Sequence, residues 1–242
     1  MRVEKKFLRI KGDKIAVKTH FPEEKPVGTI IFCHGFGSDK EGSYKKRCEF
    51  FAKNGLKAVR FDFRGNYESS LDFEQANLST RIEDLKKVID EFNDDELVVH
   101  GTSFGGLVAI LTANESGKID FLALRSPVTN LESMSGIRDK IKKKGFYEHI
   151  VGKKVGKKFL EDLESYDLSF IHENIDMPTL IMHGTKDDVV NIKFSETFFE
   201  KLTCKKRFIK YGGQGHRFDE ETDLLSINQV LRWFKDESKN RF

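Results

Sequence analysis

Between Glu96 and Ile110, a short β-branched and apolar run, Leu97 to Val99, leads into Gly101-Thr102-Ser103-Phe104-Gly105 and then into an apolar run beginning at Gly106. The order reads strand, tight turn, helix. A serine framed by two such glycines occupies a strained strand-to-helix junction, where a Cβ at either glycine would collide as the two elements pack together. The Ser103 hydroxyl is therefore expected to stand exposed above a sheet.

The rest of the chain repeats this strand and helix rhythm. Thr29 to Cys33 is a continuous apolar run that opens into His34-Gly35-Phe36-Gly37, as a doubly buried parallel strand would. Tyr44 to Lys53 reads as a helix stopped by Asn54-Gly55, and Lys57 to Phe61 as the next strand, opening into Asp62-Phe63-Arg64-Gly65-Asn66-Tyr67. Leu78, Ile82, Leu85, Val88, Ile89 and Phe92 recur at helical spacing, with Ser79 or Thr80 as the expected cap and acids in the first turn. Strands are expected over Ile119 to Leu124, Pro178 to His183 and Arg207 to Tyr211, and helices over Phe194 to Leu202 and Glu220 to Phe234. Residues 2 to 10 and 14 to 20 alternate around Lys11-Gly12-Asp13, the pattern of an antiparallel hairpin at a sheet edge. The alternation implies an α/β fold: a mostly parallel, doubly wound sheet with an antiparallel N-terminal hairpin and active groups at the strand C-termini.

Residues 128 to 176 break the rhythm. Roughly fifty residues are too many for one crossover, so this stretch is expected to be a helical lid inserted into a core formed by residues 1 to 127 and 177 to 242. From Arg138 to Lys158 it carries nine Lys or Arg against Asp139 and Glu148, which reads first as a solvated helical face and second as a rim that attracts acidic substrates.

The charge balance, 42 basic against 39 acidic residues, gives a net +3 and no electrostatic demand for nucleic acid. Cys33, Cys48 and Cys204 are too few and scattered for a disulfide framework or a metal cluster. No apolar stretch approaches 18 residues, so no membrane span is expected, and Met1-Arg-Val-Glu-Lys-Lys lacks an apolar signal core. These features point to a cytoplasmic protein, with a homodimer left open. No metal-binding H-E-x-x-H and no phosphate loop is present, and no cofactor is expected.

Acyl transfer from a serine needs a base, a residue that orients the base, and donors for the oxyanion. With this kind of turn the chain order is nucleophile, acid, histidine, and the only histidine after Asp187-Asp188 is His216, in a Gly-Gln-Gly-His loop. Asp187 is the expected acid and Asp188 the alternative. His34, His100 and His183 each precede a glycine at a strand end and are expected near the site but fixed, whereas His20, His149 and His172 read as structural. The oxyanion donors in such a fold are the amide after the nucleophile, Phe104, and one from the loop after the Thr29 to Cys33 strand, for which Phe36 is the choice. Gly35, Phe63 and Tyr67 are expected to border the substrate.

His34-Gly35-Phe36-Gly37, Asp62-Phe63-Arg64-Gly65, Gly101 to Gly105, Gly184-Thr185-Lys186-Asp187 and Gly215-His216 together resemble the α/β-hydrolase superfamily. Within it the chain is most similar to small intracellular cinnamoyl and feruloyl esterases and to serine aminopeptidase and monoacylglycerol-lipase relatives. The resemblance spans nearly the whole chain outside residues 128 to 176. It implies Ser103 as nucleophile, Asp187 as acid, His216 as base and the Phe36 and Phe104 amides as oxyanion donors, in a carboxylester hydrolase acting on small or aromatic acyl esters. Thioester, amide or peptide cleavage by the same triad is the alternative, and a non-catalytic ligand receptor is a weaker one. Relatives often carry Arg-Gly-His-Gly where this chain has Arg64-Gly65-Asn66-Tyr67.

Overall fold

Five runs in which every residue is buried form the centre of the computed structural model, which describes residues 1–92 and 96–239. In chain order the strands are β1 (Arg2–Ile10), β2 (Asp13–Phe21), β3 (Thr29–Cys33), β4 (Lys57–Phe61), β5 (Leu97–Thr102), β6 (Phe121–Arg125), β7 (Phe146–Ile150), β8 (Lys153–Gly156), β9 (Thr179–Gly184) and β10 (Lys206–Tyr211). The helices are α1 (Ser43–Lys53), α2 (Leu78–Phe92), α3 (Phe104–Ser116), α4 (Ser135–Lys144), α5 (Lys157–Glu164), α6 (Ile192–Lys201) and α7 (Glu220–Lys239). Eight strands make one sheet in the order β1-β2-β4-β3-β5-β6-β9-β10, parallel from β4 to β10 and antiparallel at β1 and β2. This is the α/β-hydrolase fold.

A central strand covered on both faces is apolar at most positions, because successive side chains point to opposite sides and both sides are buried. The run in β3 is divided accordingly. Ile31 and Cys33 enter one core layer with α2, α3 and α6, while Ile30 and Phe32 enter the other with α1 and α7. In β5, β6 and β9, Val99, Leu122 and Ile181 belong to the first layer, and Val98, Ala123 and Met182 to the second. At the outer edge only Leu8 of β1 is buried, and β1 turns into β2 through Lys11 at φ 49° and Gly12 at φ 88°. Two successive positive φ values are the hairpin geometry whose twist matches the strands.

The start of α2 differs from the sequence expectation. Asn77 is the cap: its Oδ1 accepts from the Thr80 amide while Thr80 Oγ1 accepts from the Asn77 amide, both at 2.9 Å. The first turn holds no acid; Asp162 of α5 takes that place from a distance in sequence, accepting from Ser79 N at 3.0 Å and from Ser79 Oγ. An anion at a helix N-terminus can come from any element packed there.

Between β6 and β9, α4 ends at Gly145, in the left-handed conformation at φ 82°. Residues 146 to 156 then form an antiparallel hairpin, β7 with β8, rather than a continuation of helix. Phe146, Tyr147 and Ile150 favour extended backbone, and Gly152 at φ 81° makes the turn. The stretch is joined to the rest of the molecule: Met134, Ile141, Val155, Phe159, Leu160 and Leu163 share the core layer of α2 and α3. Among the described residues no helix is long and apolar enough to cross a membrane.

Candidate active site

Ser103 sits between β5 and α3 at φ 55°, ψ −120°, a region L-residues enter only under constraint from their surroundings. The constraint is visible. Ser103 N donates to Arg125 O at 3.0 Å, and Ser103 O accepts from Gly106 N at 2.9 Å and Val128 N at 3.1 Å. A Cβ on Gly101 would lie 2.6 Å from Gly105 O, and one on Gly105 would lie 2.4 Å from His34 O, so both glycines are obligatory. Ser103 has no side-chain capping bond, leaving its hydroxyl to the cleft beside it.

The loop after β3 runs against this turn. The Cβ position of Gly35 is 3.5 Å from Ser103 Cβ. His34, buried beneath, is oriented at both nitrogens: Nδ1 donates to Gly35 O at 2.9 Å and Nε2 accepts from Phe63 N at 3.2 Å. Burial pushes its pKa down to about 3, outweighing the Gly35 carbonyl, so it is a neutral brace. The Phe36 ring packs edge-on against Phe104 at 5.5 Å. Among the described residues, neither the Phe36 amide nor the Phe104 amide donates within the chain.

Asp187 follows β9. Its Oδ1 accepts from Val189 N at 3.0 Å and Val190 N at 2.9 Å, and its Oδ2 lies 2.8 Å from His216 Nδ1 and 3.1 Å from His183 Nε2. Burial alone would raise its pKa. The His183 and His216 hydrogen bonds and the backbone donors outweigh that and hold the carboxyl well below the usual carboxylate range. His183 is itself fixed, with Nδ1 2.8 Å from Ser195 Oγ and Nε2 2.9 Å from Val190 O. Asp188 is exposed. His100 lies elsewhere, buried in the other core layer against Phe32 at 5.1 Å, with neither ring nitrogen hydrogen-bonded among the described residues.

Ser103, Asp187, His216, Gly35, Phe36 and Phe104 line one open cleft of about 1760 Å³. Phe63 and Tyr67 do not. Phe63 is buried against Phe61 and His34, with ring centroids at 4.7 and 4.9 Å, and is part of the support for His34. Tyr67, at φ 42°, faces solvent with Lys40 Nζ 4.8 Å from its ring centre. The loop carrying them is held by buried ion pairs, Lys40 with Asp62 and Arg64 with Asp84, both at 2.6 Å. No cluster of three or more metal-ligating side chains occurs among the described residues.

Residues 42–241 match the model of the prolyl oligopeptidase family. The chain belongs to that family. It is a serine hydrolase of the α/β-hydrolase fold. The human palmitoyl-protein thioesterase ABHD10, a mitochondrial protein, is 25% identical over 216 residues, 81% of this chain and 69% of the relative. The AB hydrolase superfamily protein YisY of Bacillus subtilis is 24% identical over 86% of this chain and 91% of its own. In three dimensions, Est1E from Butyrivibrio proteoclasticus with bound ferulic acid aligns with TM-score 0.82 at 18% identity, covering 95% of this chain and 99% of Est1E.

Further residues line the cleft, among them Met134, Ile137 and Tyr147 of residues 128 to 176, whose apolar side chains exceed what a free surface helix needs. His149, expected to be structural, lines the cleft with its ring 5.5 Å from Phe36, and Tyr147 Oη is 3.2 Å from His149 Nδ1. Met134, Ile137, Val190 and Phe194 add an apolar wall. Arg47, Arg125 and Asp223 add a charged one. Of the three charged residues, Arg125 alone has a local signal, as a cation ending an otherwise apolar strand.

Proposed function

We propose that this chain is a carboxylester hydrolase in which Ser103 is the nucleophile, His216 the base and Asp187 the acid. The observation that supports it most is the Asp187–His216 hydrogen bond of 2.8 Å on the same cleft as a serine held at φ 55°. Ser103 Oγ attacks the acyl carbon as His216 Nε2 takes its proton. Asp187 Oδ2 accepts from Nδ1–H and stabilises the imidazolium. The carbonyl oxygen becomes an oxyanion that receives the Phe36 and Phe104 amides, each such donor contributing roughly 3 kcal/mol. The bond to the alcohol breaks, the leaving oxygen takes the proton from His216, and water repeats the sequence on the acyl-serine.

Small or aromatic acyl groups fit the apolar wall of Met134, Ile137, Tyr147 and Phe194. Ferulic acid, the ligand of the Butyrivibrio structure, belongs to that class. Residues 128 to 176 act as the lid that supplies three of those four side chains. A thioester substrate is the second reading, favoured by the 25% identity to a palmitoyl-protein thioesterase. Cytoplasmic residence belongs to the same proposal and rests on three free thiols, Cys33, Cys48 and Cys204.

Labelling by a small fluorophosphonate, followed by a panel of p-nitrophenyl esters, acyl thioesters and aminoacyl amides, tests this. Labelling confined to Ser103 and turnover of esters above the other classes are expected. A wild-type protein that takes no label, or that cleaves only amides, would refute the esterase assignment.

A further inference from the structure

Two walls of different chemistry meet at Ser103. The charged one is built on the side of the sheet that carries α1 and α7. Arg47 of α1 and Arg125, the last residue of β6, are 2% and 8% exposed. Both bind one carboxylate: Arg47 Nε and Nη2 donate to Asp223, and Arg125 Nη1 donates to Asp223 Oδ1 at 2.8 Å. Arg47 Nη1 and Arg125 Nε are buried with no hydrogen-bond partner among the described residues. Tyr44 and Phe218 place their rings over the two guanidinium groups, at 4.8 and 5.1 Å.

Several acids near the two arginines are engaged elsewhere. Glu220 pairs with Lys46, Glu41 with Lys18 and Arg60, and Asp39 accepts from the Glu41 amide. Asp187 is held by its two histidines. Two guanidinium ions therefore share one carboxylate, and a buried cation without its counter-charge is costly unless something completes the set. Arginine forks match a second carboxylate well. The position is also suited to substrate, since the Arg125 carbonyl accepts from Ser103 N at 3.0 Å and Arg47, Arg125 and Asp223 line the cleft of Ser103.

We infer that Arg47 and Arg125 form an anion subsite, and that the preferred substrate is an ester carrying a carboxylate near its scissile bond. This rests on Ser103 being the hydrolytic nucleophile. The test compares charged and neutral esters of matched shape. In one arm the charge is on the acyl group, p-nitrophenyl hemiglutarate against p-nitrophenyl pentanoate; in the other it is on the leaving group, 4-acetoxybenzoate against 4-acetoxybenzamide. We expect kcat/KM to favour the charged member by about ten-fold or more in one arm, which also tells which side of the ester faces the arginines. Arg125→Gln should bring that ratio towards one, and Asp223→Asn, which removes the resident counter-charge, should raise it.

Turnover with the neutral member equal or better in both arms of the wild-type protein overturns the subsite and leaves the hydrolase reading standing. A charge preference that Arg125→Gln and Asp223→Asn both leave unmoved, in variants that still take the fluorophosphonate label, overturns it as well. If no ester is cleaved and Ser103 takes no label, the hydrolase reading falls and the subsite with it.

Discussion

His216 Nδ1 lies 2.8 Å from Asp187 Oδ2, an oxygen that the buried His183 approaches from another side at 3.1 Å. With Oδ1 fixed by the Val189 and Val190 amides, the carboxylate is oriented before any substrate arrives. Asp187→Asn should therefore lower kcat by about 10³ to 10⁴. Asp188, exposed next to it, should tolerate the same change with most of its activity retained. Steady-state kinetics on one activated ester decides between them, and the reverse order of defects would exchange their roles.

Ser103, the proposed nucleophile, carries backbone strain. Ser103→Ala should reduce turnover by about 10³-fold or more with little effect on stability. Ser103→Gly should be equally inactive yet more stable by about 1 kcal/mol, since glycine adopts φ 55° without steric cost. Urea unfolding of the two variants side by side measures the difference; a Gly variant no more stable than the Ala variant would remove the strain argument.

Gly105→Ala is expected to fail at the level of folding. The added methyl would lie 2.4 Å from His34 O and 2.5 Å from Cys33 O, both backbone atoms that cannot rotate away. A loss of roughly 3 kcal/mol or more, or insoluble expression, is expected. A soluble variant with unchanged Tm would contradict this packing.

Acid should destabilise the protein earlier than carboxylate titration alone requires. His34 and His100 are both buried neutral, the first with its pKa pushed down to about 3 by burial and the second held well below its ordinary value for the same reason. In the unfolded chain both titrate near 6.5, so below that pH the unfolded state binds protons that the folded state does not, and stability falls as pH drops towards 3. Each histidine contributes a slope of up to about 1.4 kcal/mol per pH unit. His20, lowered to about 4 chiefly by burial, adds to the same slope, and His100→Phe, which fills the space without unpartnered nitrogens, should remove only the share that His100 contributes. Urea midpoints that do not move between pH 7 and pH 5 would mean that these rings are protonated in the fold.

Lid side chains should set acyl preference, but deleting the lid is the wrong experiment, because Phe159, Leu163 and Ile141 are part of the core under α2 and α3. Ile137, partly buried on the cleft, is the better position. Ile137→Ala should shift the ratio of long-chain to short-chain ester turnover by about ten-fold while leaving fluorophosphonate labelling intact. An unchanged chain-length profile would place that selectivity in another wall.

The sheet was legible because its central strands are buried on both faces, which writes an unbroken apolar run into β3, β5 and β9 that few other contexts produce. The positions of Ser103, Asp187 and His216 on one cleft followed from chain order, since each lies in the loop or turn after a strand of a parallel sheet. The hairpin at residues 146 to 156 was obscured by its lysines, which reported a solvated surface whatever the backbone did. Asn77 gives no clear cap signal in the sequence, because the apolar periodicity begins right after it and Ser79 and Thr80 are equally good capping residues. Phe63 and Tyr67 were placed at the substrate by their neighbourhood in sequence, whereas ion pairs turn their loop so that one ring goes into the core and the other out to solvent. The charged wall could not be read at all: Arg47 and Asp223 stand 176 positions apart and meet only because α1 and α7 share a face of the sheet.

That division of the sheet has a consequence for how the enzyme can change. Met134, Ile137, Tyr147 and Phe194 are anchored in the core layer on one side, while Arg47 and Asp223 are carried by helices packed on the other. Between the two layers lies the sheet itself, so the side chains of the two walls are carried by separate elements. Substitutions in one wall should then leave the second undisturbed, so that double variants drawn from opposite walls sum in their effects on selectivity. A lineage built on such a frame could exchange its apolar wall and its charged wall independently, keeping one nucleophile turn while it moves among substrates.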